Sequence, residues 1–169
     1  MKGRKTLKIW LPIGIIIVLI SAGATAFALH STKLRIEQNG IPADVRDETS
    51  FVIFAPNSGV IENSAKYNTI SDALSYRMST SPEVTVSQQV VPTQFVDIDG
   101  YEEKFYSGLN QYDTIQTNHG LAHLVRPSGE TSDVAVFNQE GTLVFITAKA
   151  SLSPERWRSL INTLEVVAD

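Results

Sequence analysis

Residues 133–149 read DVAVFNQEGTLVFITAK, and this stretch indicates most directly how the chain folds. Apolar and β-branched residues fill the sequence on both sides of the run QEG at residues 139–141. Such a composition is typical of strands, and a glycine in a short polar turn supplies the positive φ that a tight hairpin needs. The stretch therefore predicts two antiparallel strands, residues 133–138 and 142–149, joined by a hairpin turn.

The residues that follow predict a helix that closes the domain. Ser153 and Pro154 supply an N-cap and a proline at the first helical position. Four apolar residues then fall on one side of a helix: Trp157, Leu160, Ile161 and Leu164. This stripe predicts that the closing helix packs on the sheet.

Upstream of the hairpin, further segments show the patterns of strands. Residues 73–91 predict a second hairpin, because apolar and polar residues alternate on both sides of a Ser-Pro turn. Residues 51–55 (FVIFA), 111–117 and 121–126 predict three more strands. Together with residues 133–149, these segments predict an antiparallel sheet of six or seven strands.

Between these strands the apolar period changes to that of a helix. Four residues recur at helical spacing: Ile98, Tyr101, Phe105 and Leu109. Asp99 precedes Glu102 by three residues, as in a capping box, and acidic residues suit the positive end of a helix. Residues 97–107 therefore predict an amphipathic helix. We expect an α+β fold in which this helix and the closing helix pack on one face of the sheet.

The N-terminal part of the chain predicts a membrane anchor. Residues 9–29 read IWLPIGIIIVLISAGATAFAL and carry no charge. A helix of this length rises roughly 31 Å, which matches the hydrocarbon core of a bilayer. Four basic residues precede it: Lys2, Arg4, Lys5 and Lys8. The positive-inside rule therefore predicts that residues 1–8 are cytoplasmic and that the C-terminal domain is extracytoplasmic, at the cell membrane.

Cleavage of a signal peptide is the alternative to an anchor. Two small-x-small sites, ATA and AFA, would allow a peptidase to release the domain near Ala26 or Ala28. The uncharged run is longer than the roughly 7 to 15 residues usual in a signal peptide, which favours an uncleaved anchor. Residues 30–40 are polar and predict a juxtamembrane stalk. Residues 41–169 are expected to form one domain, which opens with a short helix at its Ile-Pro start.

Composition and charge limit the partners of that domain. The part of the chain after residue 29 holds 10 basic and 18 acidic residues, a formal charge of about −8. Nucleic-acid binding depends on Lys and Arg contacts to phosphate, so we expect no nucleic-acid partner. The chain has no cysteine, which excludes disulfides and thiolate metal sites. The expected partners are the lipid bilayer, through residues 9–29, and either an envelope protein or an apolar ligand.

No motif in the chain predicts catalysis, and we expect neither an enzyme nor a cofactor. The GxSxG elbow and the SxxK pair of serine hydrolases are absent. His119 and His123 would form a zinc pair on a helix, but in an extended strand they would lie about 13 Å apart. The acidic residues at 97–103 lack the spacing of a calcium loop. The sequence therefore predicts no catalytic residue and no metal site.

Aromatic residues are the candidate contacts for a ligand or partner. They lie along the predicted helix and the strand after it: Tyr101, Phe105, Tyr106 and Tyr112. A helix above a curved sheet can leave an apolar slot that would take a lipid or a lipopeptide. The same positions also suit core packing, and Tyr106 is the residue whose exposure would favour a binding role.

Three sequence segments are similar to segments of a known group of proteins: IQTNHGLA at residues 115–122, VFNQEGTLVFITA at 136–148 and LSPERWRSLINTL at 152–164. They resemble the C-terminal half of a widespread group of bacterial extracytoplasmic domains of unknown function. Those domains occur behind a membrane or lipid anchor, including in anti-sigma-factor-like and cell-envelope proteins. The resemblance covers residues 41–167, implies an extracytoplasmic α+β domain and brings no catalytic residue with it.

The sequence therefore predicts a single-pass, membrane-anchored extracytoplasmic binding or interaction module of a bacterial envelope. A sensory or regulatory ectodomain is the first alternative. Because only about eight residues precede the span, it would have to signal through a partner. An envelope enzyme is the third hypothesis.

Overall fold

The computed structural model describes residues 38–167. The predicted membrane span at residues 9–29, the basic tail before it and residues 30–37 of the predicted stalk lie outside the described residues. Within residues 38–167, no helix is both long enough and apolar enough to cross a membrane.

The described residues form short helices and strands that follow a 3₁₀ turn at Gln38–Gly40. In chain order they are α1 (Ala43–Glu48), β1 (Phe54–Pro56), β2 (Lys66–Asn68), β3 (Ala73–Met78), β4 (Val84–Val90), α2 (Gln94–Asp97), α3 (Tyr101–Gly108), β5 (Gln111–Thr117), β6 (Gly120–Val125), β7 (Asp133–Gln139), β8 (Thr142–Ala148), α4 (Pro154–Ile161) and β9 (Leu164–Val166).

Seven of the strands form one antiparallel sheet in the order β2-β3-β4-β8-β7-β6-β5. β1 and β9 form a separate two-stranded antiparallel sheet, in which Ala55 lies opposite Glu165. A large antiparallel sheet with few helices confirms the predicted α+β class. The predicted hairpins at residues 73–91 and 133–149 are both present, as β3-β4 and β7-β8.

The turn between β7 and β8 has the backbone that its sequence favours. Gln139 pairs with Thr142, which leaves Glu140 and Gly141 as the two turn residues. Both have positive φ, 51° and 77°, as in a type I′ turn. This conformation follows the right-handed twist of the flanking strands and fixes their register.

The central strands are buried on both faces of the sheet. In β8, Val144 and Ile146 belong to the main core, while Leu143 and Phe145 alternate with them toward the opposite face. All four side chains are buried. We call the face that carries Val144 and Ile146 the α4 face, because Trp157 of α4 lies in the same core.

The opposite face is covered by α3, and we call it the α3 face. The Tyr106 ring of α3 stacks on His123 of β6. His123 alternates with Ala122 and Leu124, which belong to the core of the α4 face. The prediction that both main helices pack on one face is therefore wrong. Residues 134–137 and 143–146 are consecutive apolar runs, and such strands require cover on both sides.

The predicted helix at residues 97–107 is interrupted. Gly100 adopts a φ of 68°, separates α2 from α3 and is the N-cap residue of α3 without a side-chain cap. Asp99 therefore does not form the predicted capping box with Glu102. The broken path lets Phe95 of α2 turn back onto α3, where its ring lies 4.9 Å from that of Phe105.

The first and last strands of the domain, β1 and β9, differ from the prediction because they pair with each other. The predicted strand at residues 51–55 is present only as the short β1, outside the main sheet, and it pairs with β9. The closing helix ends at Ile161, so Leu164 begins β9 instead of extending the helical stripe. The two segments pair with each other over the α4 face because their apolar residues pack in its core.

A buried glutamine fixes β1 over that face. Gln88 of β4 is 1% exposed. Its side-chain amide donates to the Phe54 carbonyl oxygen at 2.7 Å and accepts from the Phe54 N–H, also at 2.7 Å. The Tyr76 hydroxyl donates to the same carbonyl oxygen at 2.7 Å. Gln88 thus gives β1 the pair of hydrogen bonds that a neighbouring strand would give.

Candidate functional site

An open cleft of about 720 Å³ lies between α3 and the strands beneath it. Its lining residues come from α3, β5, β6 and β7: Glu102, Glu103, Tyr106, Ser107, Gln111, Leu121, His123 and Asn138. This volume falls within the range of small-molecule sites, about 300 to 1,000 Å³. The cleft is therefore a candidate ligand site in the described part of the chain.

Local geometry explains why these residues meet. Glu102 and Glu103 lie one helical turn before Tyr106 and Ser107, so all four share one flank of α3. In β6, Leu121 and His123 stand on the α3 face because the strand alternates. The helical period of α3 thus places its polar residues along one edge of the cleft. The alternation of β6 places Leu121 and His123 on its floor.

His123 is held in a defined orientation. Its ring stacks on Tyr106 with a centroid distance of 3.6 Å and an interplanar angle of 8°. Its Nδ1 lies 2.8 Å from Oε1 of Gln111. An amide oxygen can only accept, so Nδ1 donates and Nε2 of the neutral ring is left as an acceptor. Partial burial lowers the pKa of His123, and the negative charge of Glu102 opposes this shift only in part.

The Tyr106 hydroxyl is unusual for a buried group. Tyr106 is 2% exposed, and within residues 38–167 its hydroxyl has no hydrogen-bond partner of acceptable geometry. Burial raises the pKa of Tyr106 well above its ordinary value, and the Glu102 carboxylate raises it further. Most buried polar groups have a partner, and the Glu102 carboxylate, which also acts on this hydroxyl as a hydrogen-bond acceptor, is the group placed to supply one.

The charge of the cleft is negative. Glu102 and Glu103 are exposed at its rim, and among residues 38–167 neither Lys nor Arg lines it. Within the described residues, no three His, Cys, Asp or Glu side chains lie close enough together to hold a metal ion. The two carboxylates and His123 therefore do not form a three-ligand metal site.

Only one of the four predicted contact residues lines this cleft. Tyr106 does, whereas Phe105 is 1% exposed and packs against Phe95. Tyr101 is half-buried, with its ring 5.5 Å from that of Phe95. These rings form a small aromatic core between α2, α3 and the sheet, so their main role is structural.

Tyr112, the fourth predicted residue, lies apart from the others. It is 48% exposed, and the Arg126 guanidinium stands 5.4 Å from the centre of its ring. The pKa of its hydroxyl is raised by burial and by Asp133. Asp133 is a buried carboxylate that accepts from Arg126 Nε at 2.7 Å. Tyr112 thus belongs to a polar cluster away from the cleft.

That cluster is built to hold a buried charge. Burial alone would raise the pKa of Asp133, but hydrogen bonds from Arg126 and Ser151 outweigh it and lower the pKa below its ordinary value. Arg126 Nη2 also donates to Ser151 Oγ at 3.1 Å. The cluster ties the start of β7 to the segment before α4, which is a structural role.

The two histidines of the predicted sheet do not act together. His119 lies in the turn between β5 and β6, as expected. Its Nε2 lies 2.9 Å from the Leu164 carbonyl oxygen, its Nδ1 contacts Gln139, and its ring packs against Phe54 and Phe137. These contacts place His119 on the α4 face, opposite His123, where it ties the turn to β9.

The free edge of β5 is poorly suited to pairing with a strand from a partner. A register shift interrupts the ladder between Gln111 and Asp113. Asp113 Oδ1 accepts the Thr114 N–H at 2.8 Å, and Arg158 Nε donates to the Gln116 carbonyl oxygen at 3.0 Å. An edge whose backbone groups are already bonded offers little to an added strand.

Sequence reasoning did not identify the other residues of the cleft as a site. Glu102 and Glu103 were explained by the helix dipole, and His123 by a sheet position. One signal was available: two carboxylates one helical turn before Tyr106 predict a polar flank on the helix. Which strand faces that flank depends on packing between distant segments, and no local pattern predicts it.

Searches against protein-family models, curated proteins and solved structures found no match to this chain. The resemblance to bacterial extracytoplasmic domains therefore stays a prediction from the sequence.

Proposed function

We propose that the protein is a single-pass, membrane-anchored extracytoplasmic binding module of a bacterial envelope, and that the cleft beneath α3 is its ligand site. The cleft itself is the observation that carries the proposal. It combines a volume of about 720 Å³ with several polar side chains on a rigid helix and sheet. Ligand sites commonly have this form, a concavity with a few oriented polar groups.

The contacts within the cleft favour binding over catalysis. Among the described residues, Ser107 is the only hydroxyl side chain of the lining besides Tyr106, and its Oγ donates to the Lys104 carbonyl oxygen at 3.0 Å. A nucleophilic serine would instead donate to a base. His123, the imidazole of the lining, donates through Nδ1 to Gln111 and stacks on Tyr106, and within residues 38–167 no hydroxyl donates to its Nε2. The side chains are thus arranged to hold a ligand and not to activate a nucleophile.

Native mass spectrometry of the full chain, purified gently from its own host in mild detergent, tests the ligand site. We expect an added mass that disappears on denaturation. Leu121 is 51% exposed in the cleft, so Leu121→Trp should fill the cleft and abolish the added mass. Ile70 is 96% exposed and does not line the cleft, so Ile70→Trp should retain it. A chain without added mass, or a ligand retained by Leu121→Trp, would contradict the proposed site.

The membrane topology can be tested separately because the natural chain has no cysteine. Ile70→Cys places one thiol at an exposed position of the domain, and Lys2→Cys places one in the basic tail. A membrane-impermeant maleimide should label Ile70→Cys in intact cells and Lys2→Cys only after the membrane is opened. The reverse pattern would contradict the proposed orientation.

A further inference from the structure

We infer that the cleft recognises its ligand through an organic ammonium group carried on an extended stem. This inference rests on the proposed function and specifies the class of ligand. It follows from three features of the cleft: the sign of its charge, the spacing of its acidic groups and the acceptors along its wall.

The first feature is charge. Glu102 and Glu103 place two carboxylates at the rim, and among the described residues neither Lys nor Arg lines the cleft, while burial lowers the pKa of His123, the imidazole beside them. An anionic ligand would meet repulsion at this rim, whereas a cation would gain attraction from both carboxylates. The part of the chain after residue 29 has a formal charge of about −8, from 10 basic and 18 acidic residues, so the surrounding field favours the same sign.

The second feature is spacing. A compact metal ion needs several ligands that converge within about 2 to 2.6 Å. No such group of three His, Cys, Asp or Glu side chains exists within residues 38–167. A cleft of about 720 Å³, lined by polar groups from one helix and three strands, instead suits an extended molecule whose charged end reaches the carboxylates.

The third feature is the set of acceptors. An ammonium has three N–H donors and no acceptor. His123 keeps Nε2 free to accept, since Nδ1 donates to Gln111, and Asn138 lines the same cleft. The Tyr106 hydroxyl is buried without a hydrogen bond of normal geometry within residues 38–167, and the Glu102 carboxylate acts on it as an acceptor, so Glu102 links the rim of the cleft to its wall.

A matched pair of probes tests the inference on the full chain in detergent micelles. Nα-acetyl-lysinamide carries an ammonium on a four-carbon stem, and its Nε-acetylated form has the same stem without the charge. Titration calorimetry at neutral pH should show the charged probe binding at least about tenfold more tightly than the neutral one. Its affinity should fall at least about tenfold in the double variant Glu102→Gln and Glu103→Gln.

The control is a second double variant with the same loss of charge outside the cleft. Glu62 and Glu130 are exposed and do not line the cleft, so Glu62→Gln with Glu130→Gln should retain the affinity. Circular dichroism should show that both double variants remain folded, because all four carboxylates are exposed. Tyr106→Phe should weaken the charged probe without affecting its preference over the neutral one.

Three outcomes would overturn the inference: equal binding of the two probes, no binding of the charged probe at millimolar concentration, or equal loss in the two double variants. The proposed function fails differently. If native mass spectrometry finds a neutral or anionic ligand that Leu121→Trp abolishes, the cleft is a ligand site and only the ammonium inference is wrong. If no ligand is found and neither probe binds, the binding function itself is wrong.

Discussion

The two faces of the sheet differ in how completely they are covered and in how their buried polar groups are hydrogen-bonded. On the α4 face, the buried polar groups Gln88, Tyr76 and Asp133 are hydrogen-bonded, although within residues 38–167 the Trp157 indole nitrogen makes no hydrogen bond of normal geometry. On the α3 face, a smaller aromatic core borders an open cleft, and the Tyr106 hydroxyl in the wall likewise makes no such bond within these residues. One face is closed by two short strands and a helix, and the other stays partly open.

This difference indicates that the α4 face contributes most of the folding stability and that the α3 face can accommodate a binding site. The α4 face joins the ends of the domain, because β1 and β9 pack in its core with α4. A cleft on that face would disconnect those ends. The α3 face is covered by α3, which lies in the connection between β4 and β5. A gap in this cover leaves the contacts between the ends of the domain intact, so it should lower the stability less than a gap on the α4 face. Binding residues are thus placed on a rigid sheet without weakening its main core.

The largest expected effect is at Gln88, which would test whether the α4 face carries the stability. Gln88→Leu removes both hydrogen bonds between the Gln88 side chain and the Phe54 backbone. The Phe54 N–H is then left unpaired in the core. We expect the free energy of unfolding, measured with urea, to fall by about 3 kcal/mol. Gln89 is the matched control, since it is half-buried on the opposite side of the same strand. Gln89→Leu should change stability by less than about 0.5 kcal/mol, and equal losses would break the comparison.

Asp133 provides the next test, through the pH dependence of stability. Its pKa is lower in the folded chain than in the unfolded chain. Its contribution is therefore present above the unfolded pKa, near 4, and is lost as the pH falls toward the folded pKa. At pH 7, Asp133→Asn should reduce the free energy of unfolding by about 2 kcal/mol, since bonds to a charged group are lost. Urea unfolding between pH 7 and pH 3 should then show a shallower acid slope, and an unchanged slope would contradict the role of this carboxylate.

Two tyrosines give the most direct comparison of the faces. The Tyr76 hydroxyl donates to the Phe54 carbonyl oxygen, whereas the Tyr106 hydroxyl makes no hydrogen bond of normal geometry within residues 38–167, and both side chains are buried. Tyr76→Phe should destabilise the domain by about 1 kcal/mol, because a buried hydrogen bond is lost. Tyr106→Phe should leave stability unchanged or increase it, because an unsatisfied hydroxyl is removed. Thermal or urea unfolding of the two variants side by side would measure this, and equal losses would mean that Tyr106 is satisfied in the folded protein.

The sequence predicted the parts of the fold that depend on local pattern. Residues 111–117 form a strand with the predicted bounds, and the hairpin at residues 133–149 differs only at its ends. Both segments carry their own turn and strand signals. The N-cap of the closing helix was also predicted correctly, since Ser153 accepts from the Arg156 N–H. Such features need no information from distant residues.

The errors lie where distant segments decide the outcome. The face on which α3 packs depends on the path of the chain after β4, which Gly100 redirects. The pairing of β1 with β9 joins segments more than a hundred residues apart in sequence. The cleft has the same origin, because Glu102 and His123 acquire a shared role only when α3 crosses β6. The consecutive apolar residues of β7 and β8 did indicate two-sided cover, and they were the one available signal for it.

The smallest expected effect would sharpen the comparison near neutral pH. Burial makes the folded pKa of His123 lower than its unfolded value, near 6.5. Between these two values the unfolded chain binds more protons, so stability falls as the pH drops below about 6.5. His123→Phe keeps a ring on Tyr106 and should abolish this part of the pH dependence in urea unfolding. Glu102→Gln should enlarge it, because the Glu102 carboxylate raises the pKa of His123 and its removal lowers that pKa further. Since Asp133 on the α4 face titrates only in acid, the two faces should lose stability in separate pH windows, and a single shared window would show that they are not independent.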